Sequence, residues 1–172
     1  VICGSTSLVE QGYHFREING ATLHPMAAYL LLRGMKTLHL RIWQQNESAL
    51  KIARVLETLP GIERVFYPGL ESHENHAIAR RQMRGFGGVL SFILKGNDFE
   101  AVRKFLPRLR YAHSAANLGS VETIVGPPAT TSHVECTREE REAMGIPESL
   151  IRYSVGIEDP KDLIADLKQA LG

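Results

Sequence analysis

The strongest pattern in the chain is an apolar repeat at spacings of three and four along residues 26–59, which predicts a helix. Pro25 suits the first position of that helix, and Pro60-Gly61 ends it. Gly34 interrupts the repeat, so we expect a bend there or a break into two helices. A looser repeat over residues 5–19 predicts a shorter helix before it.

Beyond residue 60, predicted strands alternate with predicted helices. Runs of apolar and β-branched residues predict strands at residues 62–67, 89–94, 111–115 and 150–157. Helices are expected at residues 74–83, 98–109, 138–144 and 160–171, and a Thr137–Glu140 capping box opens the third. Residues 117–136 are rich in Gly, Pro, Ser and Thr and predict a loop, whereas residues 1–3 suit the end of a strand. The alternation indicates an α/β or α+β fold.

The composition is that of a folded domain. Apolar residues make up 44% of the 172 positions, which argues against disorder. With 20 basic and 19 acidic residues the formal net charge is +1, so neither nucleic acid nor a membrane surface is an expected partner. The longest apolar run, residues 27–32, is far too short to span a bilayer.

The two cysteines, Cys3 and Cys136, form no CxxC motif and cannot build a disulfide framework. We therefore expect free thiols and a cytoplasmic location. The sequence begins at Val1 rather than Met and shows no signal peptide. This start suggests that the chain begins inside a longer polypeptide.

Two generic motifs are better explained by structure than by chemistry. The glycine-rich residues 85–88 are followed by a predicted strand, whereas a phosphate loop needs a helix N-terminus, so we expect them to permit a close approach. His73 and His76, beside Glu71 and Glu74, are three residues apart and lack the spacing of zinc proteases. We therefore expect no metal site.

Arg152 is the residue whose position most needs a chemical explanation. It lies within the apolar strand predicted at residues 150–157, where an unpaired guanidinium is costly to bury. One interpretation is a structural salt bridge. The other is an anion site, because the planar guanidinium suits a carboxylate bidentately.

Several blocks together carry a family resemblance. They are AYLLLRGMKTLHLR at residues 28–41, YPGL at 67–70, GFGG at 85–88, LGSVE at 118–122, PA at 128–129 and IRYSVGIED at 151–159. In this order they resemble the cystathionine γ-synthase, cystathionine γ-lyase and methionine γ-lyase family of pyridoxal-phosphate (PLP) enzymes. The resemblance covers essentially the whole chain.

The resemblance implies the C-terminal part of a fold-type-I PLP-dependent transferase. Residues 1–24 would end the PLP-binding large domain. Residues 25–172 would form the small domain, a mainly antiparallel sheet with helices packed on it, preceded by a long interdomain helix. None of the six lysines matches the Schiff-base motif, so that lysine and most PLP contacts are expected upstream of Val1. A homo-oligomer, typically a tetramer, is implied, in the cytoplasm or in a plant plastid.

The resemblance also implies site residues for a small amino-acid substrate. Arg152 matches the arginine that clamps the substrate α-carboxylate. Asn117 stands where the family usually has serine beside that carboxylate, and the backbone of Leu118 would face the site. Ser132 stands where a threonine is frequent near the substrate. Ala116 stands at a position where family members differ and where cystathionine γ-lyases share a glutamate.

The implied reaction is γ-replacement or γ-elimination in sulfur amino-acid metabolism. Ala116 and the QQN stretch at residues 44–46 slightly favour a cystathionine γ-synthase-like enzyme over a cystathionine or methionine γ-lyase. A different alternative is a non-catalytic structural or assembly domain, favoured by the missing cofactor lysine. This chain alone would be inactive in either case.

Overall fold

The computed structural model describes residues 2–96 and 98–172, which form two compact units, Val1–His39 and Leu40–Gly172. In the first unit, none of the described residues is buried. The second unit contains a sheet and a hydrophobic core. The candidate site chemistry lies in this second unit.

The first unit contains the two helices α1, Thr6–Asn19, and α2, Pro25–Met35. Helix α1 ends at Gly20, whose φ of 64° is the left-handed conformation that glycine adopts without strain. The strand end predicted at residues 1–3 is wrong for Ile2 and Cys3, which lie in no strand, while Val1 lies outside the described residues. No strand of the described sheet lies in this unit to pair with them.

The predicted helix over residues 26–59 is two helices, α2 and α3, the latter Leu38–Leu56. The break lies at Lys36 and Thr37, two residues beyond Gly34, where the Lys36 N–H bonds to the Arg33 carbonyl in a tightened turn. Gly34 stays helical, since one glycine costs only ~1 kcal/mol relative to alanine. Helix α3 buries one face, formed by Gln45, Ser48, Ala49, Ile52, Ala53 and Leu56.

The later helices follow the predictions closely. They are α4 at His76–Gln82, α5 at Phe99–Phe105, α6 at Arg138–Ala143 and α7 at Pro160–Leu171, with 3-10 turns at Leu106–Arg108 and Pro128–Thr130. The capping box of Thr137 and Glu140 is present, and Asp98 caps α5. Within the described chain, no helix has both the length and the apolarity that crossing a bilayer requires.

The second unit contains a sheet of five strands, which is small and mostly antiparallel as the resemblance implied. In chain order its strands are β1 at Ile62–Phe66, β2 at Val89–Leu94, β3 at His113–Ser114, β4 at Ile124–Gly126 and β5 at Leu150–Ser154. In space the order is β1-β2-β5-β4-β3, and only the β3–β4 pair is parallel. The long loop predicted at residues 117–136 is therefore wrong at β4, because pairing with β5 overrides a composition rich in turn formers.

One face of the sheet carries the hydrophobic core. Side chains of β2 and β5 that point to this face pack with buried residues of α3, α5 and α7. Ile151 and Tyr153 are both fully buried there. Because successive side chains of a strand alternate, Arg152 between them points to the opposite face.

Candidate functional site

Arg152 occupies the centre of the sheet. Its strand, β5, lies between β2 and β4, and its Cα partners are Ser91 and Gly126. Both neighbours are small. The sheet therefore leaves room for the guanidinium on the face away from the core.

Within the described part of the chain, the guanidinium of Arg152 has no carboxylate partner. Its Nη2 donates to the carbonyl oxygen of Asn117 at 2.9 Å, and its buried Nε lacks a hydrogen-bond partner. Among residues 2–96 and 98–172 no Asp or Glu forms an ion pair with it; the arginine pairs are Arg138–Glu142 and Arg141–Glu148. The geometry thus favours the anion-site interpretation over a structural salt bridge.

Asn117 is brought against Arg152 through its backbone rather than its side chain. The Asn117 side-chain oxygen accepts the N–H of Leu118 at 2.8 Å. The Leu118 N–H is thereby satisfied locally, and its side chain is exposed. Two of the predicted site residues therefore form one compact turn beside the guanidinium.

Ser132 is not brought into contact with this group. Its hydroxyl bonds instead to Nδ1 of His133 at 2.9 Å, and the residue is exposed. The segment before it does pass over the strand next to Arg152, because a Cβ placed on Gly126 would lie 3.0 Å from Cγ2 of Thr131. Ser132 is one residue beyond that contact.

Two hydrogen bonds hold the loop of residues 117–122 to β5 and to the segment just after it. The Gly119 N–H donates to the Ser154 hydroxyl at 3.0 Å, and the Ile157 N–H donates to the Val121 carbonyl at 2.9 Å. These bonds fix the middle of the loop whose Asn117 carbonyl accepts from Arg152. Sequence reasoning gave Ser154 no role.

Glu158 provides a second clamp just after the loop. Its carboxylate accepts the Thr123 N–H at 2.7 Å and the Thr123 hydroxyl at 2.9 Å, and that hydroxyl accepts the Gly156 N–H at 3.0 Å. A Cβ on Gly156 would overlap the Val121 carbonyl and the Glu158 carboxylate. Gly156 and Glu158, both in the motif at residues 151–159, thus have structural roles. The sequence pattern alone assigned them no function.

Ionisation around the loop is set by hydrogen bonding and burial. The Ser120 hydroxyl donates to the Glu122 carboxylate and lowers the pKa of Glu122, so that this exposed group stays charged. Burial raises the pKa of Tyr153, and its phenol stays neutral on the core side. Neither group is expected to titrate near neutral pH.

The generic motifs have structural roles. Asn46 accepts the Gly87 N–H at 2.5 Å, and a Cβ on Gly85 would lie 2.7 Å from the Asn46 amide, which confirms that the glycines permit a close approach. His73 and His76 use their Nδ1 atoms in backbone hydrogen bonds. Among the described residues no group of three or more His, Cys, Asp or Glu side chains could hold a metal ion.

The residues of this chain fit an anion but do not form a site for the whole PLP cofactor. All six lysines are exposed. Within the described residues, none of them bonds to Arg152 or to the loop of residues 117–122. The described residues around Arg152 thus offer hydrogen-bond donors to an anion.

Comparison with known proteins identifies a matching family and several similar proteins. The family model for Cys/Met metabolism PLP-dependent enzymes matches residues 1–172. Cystathionine γ-synthase 1, chloroplastic, of Arabidopsis thaliana is 48% identical over 170 residues, which are 99% of this chain and 30% of that protein. L-methionine γ-lyase of Fusobacterium nucleatum subsp. polymorphum is 46% identical over 156 residues, 91% of this chain and 39% of that protein. O-succinylhomoserine sulfhydrylase of Pseudomonas aeruginosa is 43% identical over 171 residues, 99% and 42% respectively. The chain thus spans 30% to 42% of the length of these relatives.

Proposed function

Because the chain belongs to the family of PLP-dependent enzymes of Cys/Met metabolism, we propose that it binds the α-carboxylate of an amino-acid substrate through Arg152. Asn117 and Leu118 shape the turn beside the guanidinium. Ser132 lies in the neighbouring segment, where its hydroxyl bonds to His133.

The observation that carries this proposal is the incomplete pairing of Arg152. A guanidinium in the middle of a sheet has one bond, to a neutral carbonyl, and a buried Nε without a partner. A carboxylate would supply the missing charge and could accept two parallel N–H bonds. No acidic side chain of the described residues takes that place.

Such a contact would orient the bound substrate. A carboxylate held at two points fixes the rotation of the substrate about its Cα, which decides the bond that is presented for reaction. Positioning of this kind contributes about several kcal/mol to catalysis in general. In this family PLP supplies the electron sink, while the residues described here supply the orientation.

For the full-length protein we propose γ-replacement or γ-elimination on a sulfur amino acid or a homoserine ester. A cystathionine γ-synthase-like reaction is favoured by Ala116 and by the relative named cystathionine γ-synthase. The relative named L-methionine γ-lyase supports the alternative, a cystathionine or methionine γ-lyase. Assays with O-activated homoserine plus cysteine, and separately with cystathionine, distinguish them; cleavage of cystathionine without any γ-replacement would reverse our order.

The same family membership supports a proposal for the whole protein. We propose a fold-type-I enzyme in which residues 25–172 belong to the small domain and residues 1–24 end the cofactor domain. We further propose a homo-oligomer, a tetramer, in the cytoplasm or, for a plant source, in a plastid. A non-catalytic assembly domain would instead show no turnover in the full-length protein.

The direct test replaces Arg152 in the full-length protein. Loss of a charge-assisted bidentate contact should lower kcat/KM of Arg152→Ala by on the order of a hundredfold or more. Arg152→Lys should recover only part of this, because an ammonium cannot form two parallel bonds. Steady-state kinetics on the folded variants measures both effects.

Arg64→Ala is the matched control. Arg64 is also a strand arginine, but it lies 4.6 Å over the Phe66 ring on β1, away from the loop. We expect near-normal kcat/KM for this variant. If Arg152→Ala lowers only the melting temperature and the folded variant keeps its specific activity, the carboxylate role is wrong.

A further inference from the structure

A buried amide on helix α3 reaches the loop beside Arg152. Gln45 is 3% exposed, and its Nε2 donates to the carbonyl oxygen of Ser120 at 2.9 Å. The two residues are 75 positions apart in the chain. A buried side-chain donor that satisfies a distant loop carbonyl fixes the position of that loop.

The neighbours of Gln45 show that this contact is specific to its position. Gln44 donates to the Ser48 hydroxyl within α3 at 3.2 Å, and Asn46 accepts the Gly87 N–H. Three consecutive amides thus have three different partners. Only the middle one bonds to the loop of residues 117–122.

Backbone packing leaves the Gln45 side chain little freedom. A Cβ placed on Gly88 would lie 3.0 Å from Cβ of Gln45, so the glycine-rich turn packs directly on this residue. The same loop is bonded from the other side, where Gly119 donates to Ser154. Its residues 119 and 120 are therefore fixed from two elements, α3 and β5.

We propose that Gln45 is a positioning residue for the substrate α-carboxylate. It holds the Ser120 carbonyl, which fixes the loop whose Asn117 carbonyl accepts from Arg152. Without the amide donor, the Ser120 carbonyl loses a buried partner and the loop relaxes. Arg152 then loses the fixed acceptor that orients its free donors toward a carboxylate. This inference rests on the proposed carboxylate role of Arg152.

The experiment uses Gln45→Met in the full-length protein, because methionine keeps the length of the side chain and removes the donor. A net hydrogen bond corresponds to about a three- to tenfold effect, and we expect KM for the amino-acid substrate to rise by that factor. We expect kcat to change less. Inhibition by the corresponding amine, which lacks the carboxylate, should stay unchanged.

Gln44→Met is the matched control, since the same substitution one position earlier leaves the loop contact in place; its KM should equal that of the parent. Gln45→Leu is the second variant, apolar and also without a donor, and it should reproduce Gln45→Met if the latter folds poorly. An equal loss of binding for the acid and the amine, or no change in KM, overturns the proposal.

The variant Arg152→Ala distinguishes a failure of the proposed role of Gln45 from a failure of the proposed carboxylate site. If that variant loses its preference for the acid over the amine while Gln45→Met and Gln45→Leu keep theirs, only the role of Gln45 is wrong. If Arg152→Ala keeps the preference, the proposed carboxylate site itself is wrong.

Discussion

The buried phenol of Tyr67 shows how burial within the second unit changes the ionisation of a polar group. Its side chain is fully buried, and its hydroxyl donates to the Gly87 carbonyl at 2.8 Å. Burial, with a smaller contribution from Glu47, raises the pKa of Tyr67 from 10.0 to about 12. The folded state therefore holds this proton more tightly than the unfolded chain does.

Stability should fall at alkaline pH for this reason. The contribution of Tyr67 is fully present below pH 10.0 and is lost as pH rises toward about 12. At neutral pH, Tyr67→Phe should be less stable than the parent by ~1 kcal/mol, because it lacks the hydrogen bond. That difference should shrink between pH 10 and pH 12. Urea unfolding across this range measures it, and a constant difference would contradict the assignment.

Among single residues, the sequence identifies the charged group of the candidate site but not the residues that hold the neighbouring loop in place. Arg152 stands out because a guanidinium in an apolar strand needs a partner, and Asn117 follows from the family motif. Gln45 and Ser154 carry no comparable signal, since their partners are backbone groups of a distant loop. Only the folded chain brings those groups together.

Helix α7 is tied to the segment before β3 by one buried carboxylate. Asp166 is 2% exposed and accepts the N–H groups of Arg110, at 3.0 Å, and Tyr111, at 3.1 Å. The amide of Gln169 donates to it as well, at 2.9 Å. The carboxylate thus satisfies backbone donors where the chain turns toward the sheet edge.

Asp166→Ala should destabilise the domain by about 2–4 kcal/mol, since several hydrogen bonds to a buried charged group are lost. Chemical denaturation measures the change. Asp162→Ala, at an exposed position of the same helix, should change stability by less than about 0.5 kcal/mol. Equal effects of the two substitutions would mean that the contacts of Asp166 add nothing.

Elements with strong local signals were predicted well, and the failure at β4 has a physical source. Helix α7 and strand β2 coincide with their predicted ranges because caps and apolar runs define them. Strand β4 has three residues and ends in Gly126, so its local composition favours a turn. Its strand conformation comes from pairing with β5, and such long-range pairing leaves no periodic pattern in a segment so short.

The two units differ sharply in how much of their surface is buried. The described part of the first unit contains no buried residue, and α1 and α2 have 14 and 11 residues. Helices of about 12–15 residues are marginal in water without packing. Large apolar side chains are exposed there, among them Tyr13, Phe15, Ile18, Leu31 and Leu32.

Hydrogen exchange on the 172-residue chain should therefore divide at the unit boundary. Amides of α1 and α2 should exchange through local opening at a small fraction of the global free energy of unfolding. Amides of β2 and β5 should exchange only on global unfolding, because they pair in the middle of the sheet. Slow exchange in α1 equal to that in β5 would contradict this division.

The central place of β5 in the sheet also determines when the domain can form during synthesis. This strand pairs with β2 on one side and β4 on the other, yet it is the last of the described strands to leave the ribosome. Until Ser154 emerges, β1–β2 and β3–β4 are separate pairs with an exposed apolar face. Nascent chains would carry that face from the completion of β2 until Ser154 emerges, a period in which a chaperone protects such surfaces from aggregation.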